Sequence, residues 1–142
     1  MKRDNNIYPT ILAIDSTSGA CSVSILKNNC ILAYIEEKIT SNQAKRLVPI
    51  IEEALKQSST QYSELSAIAC TIGPGSFTGI RIGLATARAI GFAAGIPVLG
   101  FSGLEVLAFG AIEGTSTTPI FASLNAGKGE IIYQYFNHEL EA

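Results

Sequence analysis

The sequence predicts an α/β fold: a mixed sheet carrying helices, in the order β-β-β-α-β-α-β-α, with a short hairpin after it. Three observations predict it. Residues 11–36 hold short apolar or period-two runs broken only by tight polar turns, the pattern of an antiparallel meander. Beyond them, stretches with apolar residues at helical spacing alternate with apolar runs, as in strands joined by helical crossovers. Polar and Gly-, Ser- or Thr-rich segments separate these stretches.

Residues 11–15 form the first apolar run, ended by the turn Asp15-Ser-Thr-Ser-Gly19. Residues 21–26 alternate apolar and hydroxyl side chains, Lys27-Asn28-Asn29 has hairpin-turn chemistry, and residues 30–36 read as a third strand. Ser41 or Asn42 is placed to cap a helix running to about Ser58. Ala44, Leu47, Val48, Ile51 and Leu55 follow helical spacing, and Ile50 and Ala54 widen the stripe beyond one face. Pro49 removes a backbone donor, which predicts a bend or a late start. The continuous run 65–72 reads as a strand buried on both faces. A loop, Gly73-Pro-Gly-Ser76, leads into a helix over 77–94 that Gly95 terminates. Residues 96–101 read as another buried strand, and Ser102 caps a third helix over 103–111. After a Gly/Ser/Thr linker at 114–118, runs at 120–124 and 130–136 flank Asn125-Ala-Gly-Lys-Gly129 as a hairpin. The chain thus divides into 1–113 and 114–142, and the first part matches a ribonuclease-H-like or actin-like half. Architecture alone decides no activity.

Composition narrows the function classes. The 142 residues carry a formal charge of −2, with 15% charged and 47% hydrophobic residues, where soluble chains average about 25% charged. Such a chain has the apolar area to order itself, and without basic runs it cannot neutralise many phosphates. The longest charge-free runs fall short of the ~20 apolar residues of a membrane span, and the run 11–14 is too short for a signal-peptide core of ~7–15 residues. Three cysteines without a CxxC pair predict reduced thiols in a cytoplasmic protein.

Residues that bear chemistry are few. The single histidine, His138, has no second histidine or cysteine pair beside it, so neither a metal site nor a Ser–His–Asp triad is expected. Asp15, with Ser16 and Thr17, has two readings. In actin-like ATPases a carboxylate at this place positions a hydrated magnesium ion and the turn meets phosphate. Alternatively, the side chains satisfy local backbone groups. Gly73, Gly75 and Ser76 lead from a strand into a helix start, where backbone N–H groups hold anions, yet the segment fits neither GxxxxGK[ST] nor GxGxxG. Turn geometry explains the glycines equally well. Gly79, Gly83, Ala87 and Gly91 recur every four residues on a helix apolar nearly all round. They either admit a neighbouring helix or seat this one on its own sheet. Two broad apolar helices exceed what a small domain can cover alone. The expected partner interface therefore comprises Leu47, Val48, Ile50, Ile51, Ala54 and Leu55 of the first, and Phe77, Ile80, Gly83, Leu84, Ala87 and Gly91 of the second.

Three segments carry a family likeness: Ile11-Leu-Ala-Ile-Asp-Ser-Thr-Ser-Gly-Ala-Cys-Ser-Val-Ser, Arg46-Leu-Val-Pro-Ile-Ile, and Gly73-Pro-Gly-Ser-Phe-Thr-Gly-Ile-Arg-Ile-Gly-Leu-Ala-Thr-Ala. Together they resemble the TsaB (YeaZ) family. The resemblance implies an actin-like ATPase fold and a non-catalytic dimerisation subunit, without cofactor or metal, of the bacterial machinery that makes N6-threonylcarbamoyladenosine (t6A) in tRNA. It implies a TsaD-like catalytic partner that modifies adenosine 37, with a TsaE-like ATPase joining, a homodimer when alone, and tRNA met only indirectly. The family's contact with TsaD is a bundle of the first two helices of each subunit. Leu124-Asn-Ala-Gly-Lys-Gly-Glu-Ile-Ile-Tyr resembles the hairpin opening the family's second lobe, here expected to be shortened. Gln43 departs from the family, whose members often carry histidine at the start of the first helix. The alternatives are an actin-like nucleotide hydrolase using Asp15 and the loop at 73–79, or a glycoprotease-like peptidase.

Overall fold

The structure is a computed structural model, and it describes residues 9–39, 42–112, 118–137, 139 and 141. Its elements are β1 (Thr10–Asp15), β2 (Ala20–Lys27), β3 (Cys30–Lys38), α1 (Gln43–Gln57), β4 (Ala67–Thr71), α2 (Phe77–Ala94), β5 (Val98–Phe101), α3 (Gly103–Ala111), β6 (Ile120–Gly127) and β7 (Glu130–Phe136). A 3-10 turn at Tyr62–Glu64 precedes β4. Strands β1 to β5 form one mixed sheet in the order β3-β2-β1-β4-β5. The first three pair antiparallel, and β4 and β5 join in parallel through α1 and α2. Asn28 and Asn29 both take positive φ, 54° and 59°, the backbone a two-residue hairpin needs to match strand twist.

Period-two alternation sends Leu12, Ile14, Val23, Ile25 and Ile68 to one face, where Leu47, Ile50, Ile51, Ala54 and Leu55 of α1 and Ala87 of α2 close over them. Each fully buried Leu or Ile contributes roughly 1.5–3 kcal/mol, so this cluster holds α1 and α2 on the five-stranded sheet. Pro49 neither delays nor breaks α1, which begins at Gln43 and runs through it. The proline lies on the exposed side, where water can serve the carbonyl it leaves without a donor. The expected side-chain cap is not made either. Asn42 sits at the N-cap in a left-handed conformation, φ 64°, with no side-chain hydrogen bond, and Ser41 lies outside the described residues. Gly95 ends α2 at φ 67°, and Ser102 with Glu105 forms a capping box at α3.

The strand expected to be buried near residue 100 is exposed. Leu99 and Phe101 of β5 are 48% and 42% exposed, because β5 is the sheet's edge and α3 does not close over it. Instead α3 packs on the β6–β7 hairpin, a separate two-stranded sheet, through Leu104, Ala108, Ala122 and Phe136. The boundary expected at 113/114, most of the linker at 114–118, and His138 lie outside the described residues.

Candidate functional site

The turn joining β1 to β2 is tied to four other elements. Asp15 Oδ1 accepts from the Thr17 N–H at 2.8 Å, the Thr17 hydroxyl at 2.8 Å and the Thr71 hydroxyl of β4 at 2.6 Å. The Ser16 hydroxyl donates to the Gly79 carbonyl of α2 at 2.8 Å, and the Ser76 N–H donates to the Thr17 carbonyl at 2.7 Å. The Gln43 amide of α1 donates to the Ser18 carbonyl at 3.2 Å, and the Ile39 N–H after β3 donates to Gly19 at 3.1 Å. Asp15 thus closes a turn of the kind aspartate favours, with an added anchor to β4.

Glycine spacing makes this clasp fit. A Cβ on Gly75 would stand 2.3 Å from the Thr17 carbonyl oxygen, one on Gly79 1.9 Å from that of Ser16, and one on Gly83 2.5 Å from Ser16 Oγ. Farther along α2, a Cβ on Gly91 would meet Val98 of β5 at 2.5 Å. The small-residue stripe therefore seats α2 on its own turn and sheet.

A cleft of about 820 Å³ opens above the turn, between the loop before α2 and the α3–hairpin unit. Of the expected phosphate-facing residues, Asp15, Thr17, Gly75 and Ser76 line it, together with Gln43, Thr71, Leu107, Leu124 and Asn125. Ser16 is buried beneath it, and the carbonyl of Gly73 accepts from the Gly103 N–H at 2.7 Å. The Ser76 hydroxyl is engaged as the α2 N-cap, accepting from the Gly79 N–H at 3.2 Å. Under the floor, burial chiefly, and the Asp15 charge secondarily, push the Cys70 thiol up to about 11. Among the described residues, no three or more His, Cys, Asp or Glu gather as a metal site, and no helix is long and apolar enough to cross a membrane.

The helix pair divides the expected interface residues between core and surface. Leu47, Ile50, Ile51, Ala54, Leu55, Gly83, Ala87 and Gly91 face inward and are buried, since the sheet below consumes the widened apolar stripe of α1 and the glycine edge of α2. Ile80 and Leu84 are half-buried flanks, whereas Val48 and Phe77 face out. The outward line of α2 runs Phe77, Arg81, Ala85, Arg88, Phe92, with Phe77 73% and Phe92 92% exposed. Arg81 lies over the Phe77 ring at 5.3 Å. Phe92 and the two arginines were not among the expected interface residues, although their spacing along one helical line is legible in the sequence. The line spans about 22 Å at 1.5 Å per residue.

Comparisons with known proteins place this geometry. Residues 35–141 match the family described as TsaD, tRNA N6-adenosine threonylcarbamoyltransferase. The Escherichia coli tRNA threonylcarbamoyladenosine biosynthesis protein TsaB is 33% identical over 91% of this chain and 55% of its own length. The Haemophilus influenzae TsaB is 34% identical over 87% of this chain and 52% of its own. A solved structure of YeaZ from Pseudomonas aeruginosa superposes with a TM-score of 0.81 at 32% identity, covering 91% of this chain and 60% of that one. The chain spans about half the length of the curated relatives it matches. The match over residues 35–141 shows that the chain belongs to the TsaD family, and its relatives place it with the TsaB (YeaZ) proteins.

Proposed function

We propose that this chain acts as a non-catalytic scaffold subunit, in the cytoplasm, supporting a TsaD-like catalytic partner in threonylcarbamoyl transfer to adenosine 37 of tRNA. The observation that carries the reading is the outward face of the helix pair. Phe77, Phe92 and Val48 present apolar area to solvent, and α2 bears Arg81 and Arg88 with no acidic residue. Aromatic and arginine side chains are the residue types that anchor protein interfaces. The fitting partner is a helical face with apolar pockets for the two phenylalanines and carboxylates opposite the arginines. Alone, two copies of this chain pair more weakly through the apolar part of the same face, since α2 offers the arginines no carboxylate. A TsaE-like ATPase joins the assembly elsewhere, and tRNA is contacted through the partner.

Co-elution with the TsaD-like protein of the same cell tests this. Phe92→Asp and Phe77→Asp, each on an exposed position, are expected to weaken binding by about thirtyfold or more without lowering the melting temperature. Wild-type affinity in both variants overturns the surface. The nucleotide-hydrolase reading needs Asp15 available to a hydrated cation; its Oδ1 already accepts three hydrogen bonds, which leaves that role to Oδ2. Calorimetry with Mg-ATP separates the two readings. The scaffold reading expects no micromolar binding that Asp15→Ala removes, and such binding would favour the hydrolase.

A further inference from the structure

We propose that Gln43 is a positioning residue for the partner-binding face, holding the N-terminal ends of α1 and α2 in register through the turn between them. This rests on the scaffold reading above. The first turn of α1 lacks the usual devices: Asn42 makes no side-chain cap and no acidic residue stands in the first turn. The Gln43 side chain spans the gap. Its Nε2 donates to the Ser18 carbonyl at 3.2 Å. Its Oε1 lies 3.4 Å from where a Cβ on Gly79 would stand, against the first turn of α2. The same turn is bound to α2 through Ser16 and Thr17, so Gln43 completes a path from α1 through Ser18 to α2. Among the described residues, a second side-chain tie of this end of α1, Arg46 to Glu37, leads to β3 and not to α2.

Gln43→Glu keeps the side chain's length but leaves an acceptor facing the Ser18 carbonyl. A carboxylate in the first helical turn also favours the helix, so the variant does not weaken α1 itself. Gln43→His restores a donor of similar reach. In the full chain, Gln43→Glu is expected to weaken binding of the TsaD-like partner by about three- to tenfold, the effect of one neutral hydrogen bond. Gln43→His stays within about twofold of wild type, and the melting temperature falls by no more than about 4 °C in Gln43→Glu, the loss of one hydrogen bond. A second measurement does not need the partner. Spin labels on exposed Lys45 and Thr78, with Cys30→Ser to remove the exposed thiol and the labelled chain diluted into unlabelled chain so that distances within one copy dominate, report the α1–α2 separation in the free chain. The distribution is expected to shift or broaden in Gln43→Glu and to return in Gln43→His. Wild-type affinity, or a wild-type distance distribution, in Gln43→Glu overturns the inference. A wild-type chain that binds no TsaD-like partner overturns the scaffold reading instead, and the distances still decide the role of Gln43.

Discussion

Gly79→Ala is the sharpest test of the clasp between the β1–β2 turn and α2. The added Cβ would stand 1.9 Å from the Ser16 carbonyl oxygen, whereas ordinary contact begins near 3.4 Å. The turn or the helix must therefore retreat by about 1.5 Å. The obstructing atom is backbone, in a turn whose residues are hydrogen-bonded to β4, α1 and α2, so little give is available. Overpacking of this kind costs about 1–3 kcal/mol, and the strained Ser16–Gly79 hydrogen bond adds about 1 kcal/mol. Alanine's better helix propensity returns at most ~1 kcal/mol. The net destabilisation is about 1–3 kcal/mol, or roughly 4–12 °C for a chain of this size. Gly110→Ala is the control, since a Cβ there meets nothing within 4 Å. It is expected to be neutral or to stabilise by up to about 1 kcal/mol. Urea unfolding followed by circular dichroism reads both. A Gly79→Ala variant as stable as wild type would refute the wedged turn.

The buried thiols give a second check. A disulfide-exchange reagent at pH 8 should titrate exposed Cys30 at once, leaving Cys21 and Cys70 until denaturant is added, because burial raises both of their pKa values. The Arg46 side chain, through its hydrogen bond and then its charge, holds Glu37 below the usual carboxylate range. The pair's stabilisation is therefore present above that range and is lost as pH falls through the folded-state value. NMR titration should show the Glu37 carboxyl returning upward in Arg46→Ala. Phe136→Ala removes the largest side chain of the α3–hairpin cluster, at a cost of about 3–5 kcal/mol. Hydrogen exchange should then rise in α3, β6 and β7 while β1, β2 and β4 stay protected. Uniform loss of protection would refute two separate clusters.

Much of this molecule is legible in its residues alone. Alternation at period two in 21–26, the Asn28-Asn29 turn and the continuous run before Gly73 are local signals, and the meander and crossovers follow from them. The helix over 77–94 has the observed bounds because Phe77 follows a capping serine and Gly95 permits a left-handed end. The motif at 73–83, with its glycines four residues apart, likewise marked the place where the turn, the cleft and α2 meet. What it could not reveal was which neighbour those glycines admit. Helical spacing says that Gly79, Gly83 and Gly91 share a face, but only the folded chain brings Ser16 and Val98 against them. The same limit governed the interface. Breadth of apolar surface on α1 and α2 could not be divided between sheet and solvent until the sheet's own demand was known. Tertiary packing then claimed Ile51 and Gly83 and left Phe77 and Phe92 outside. Periodicity records which side chains travel together along an element, whereas the direction they face is set by contacts far apart in sequence.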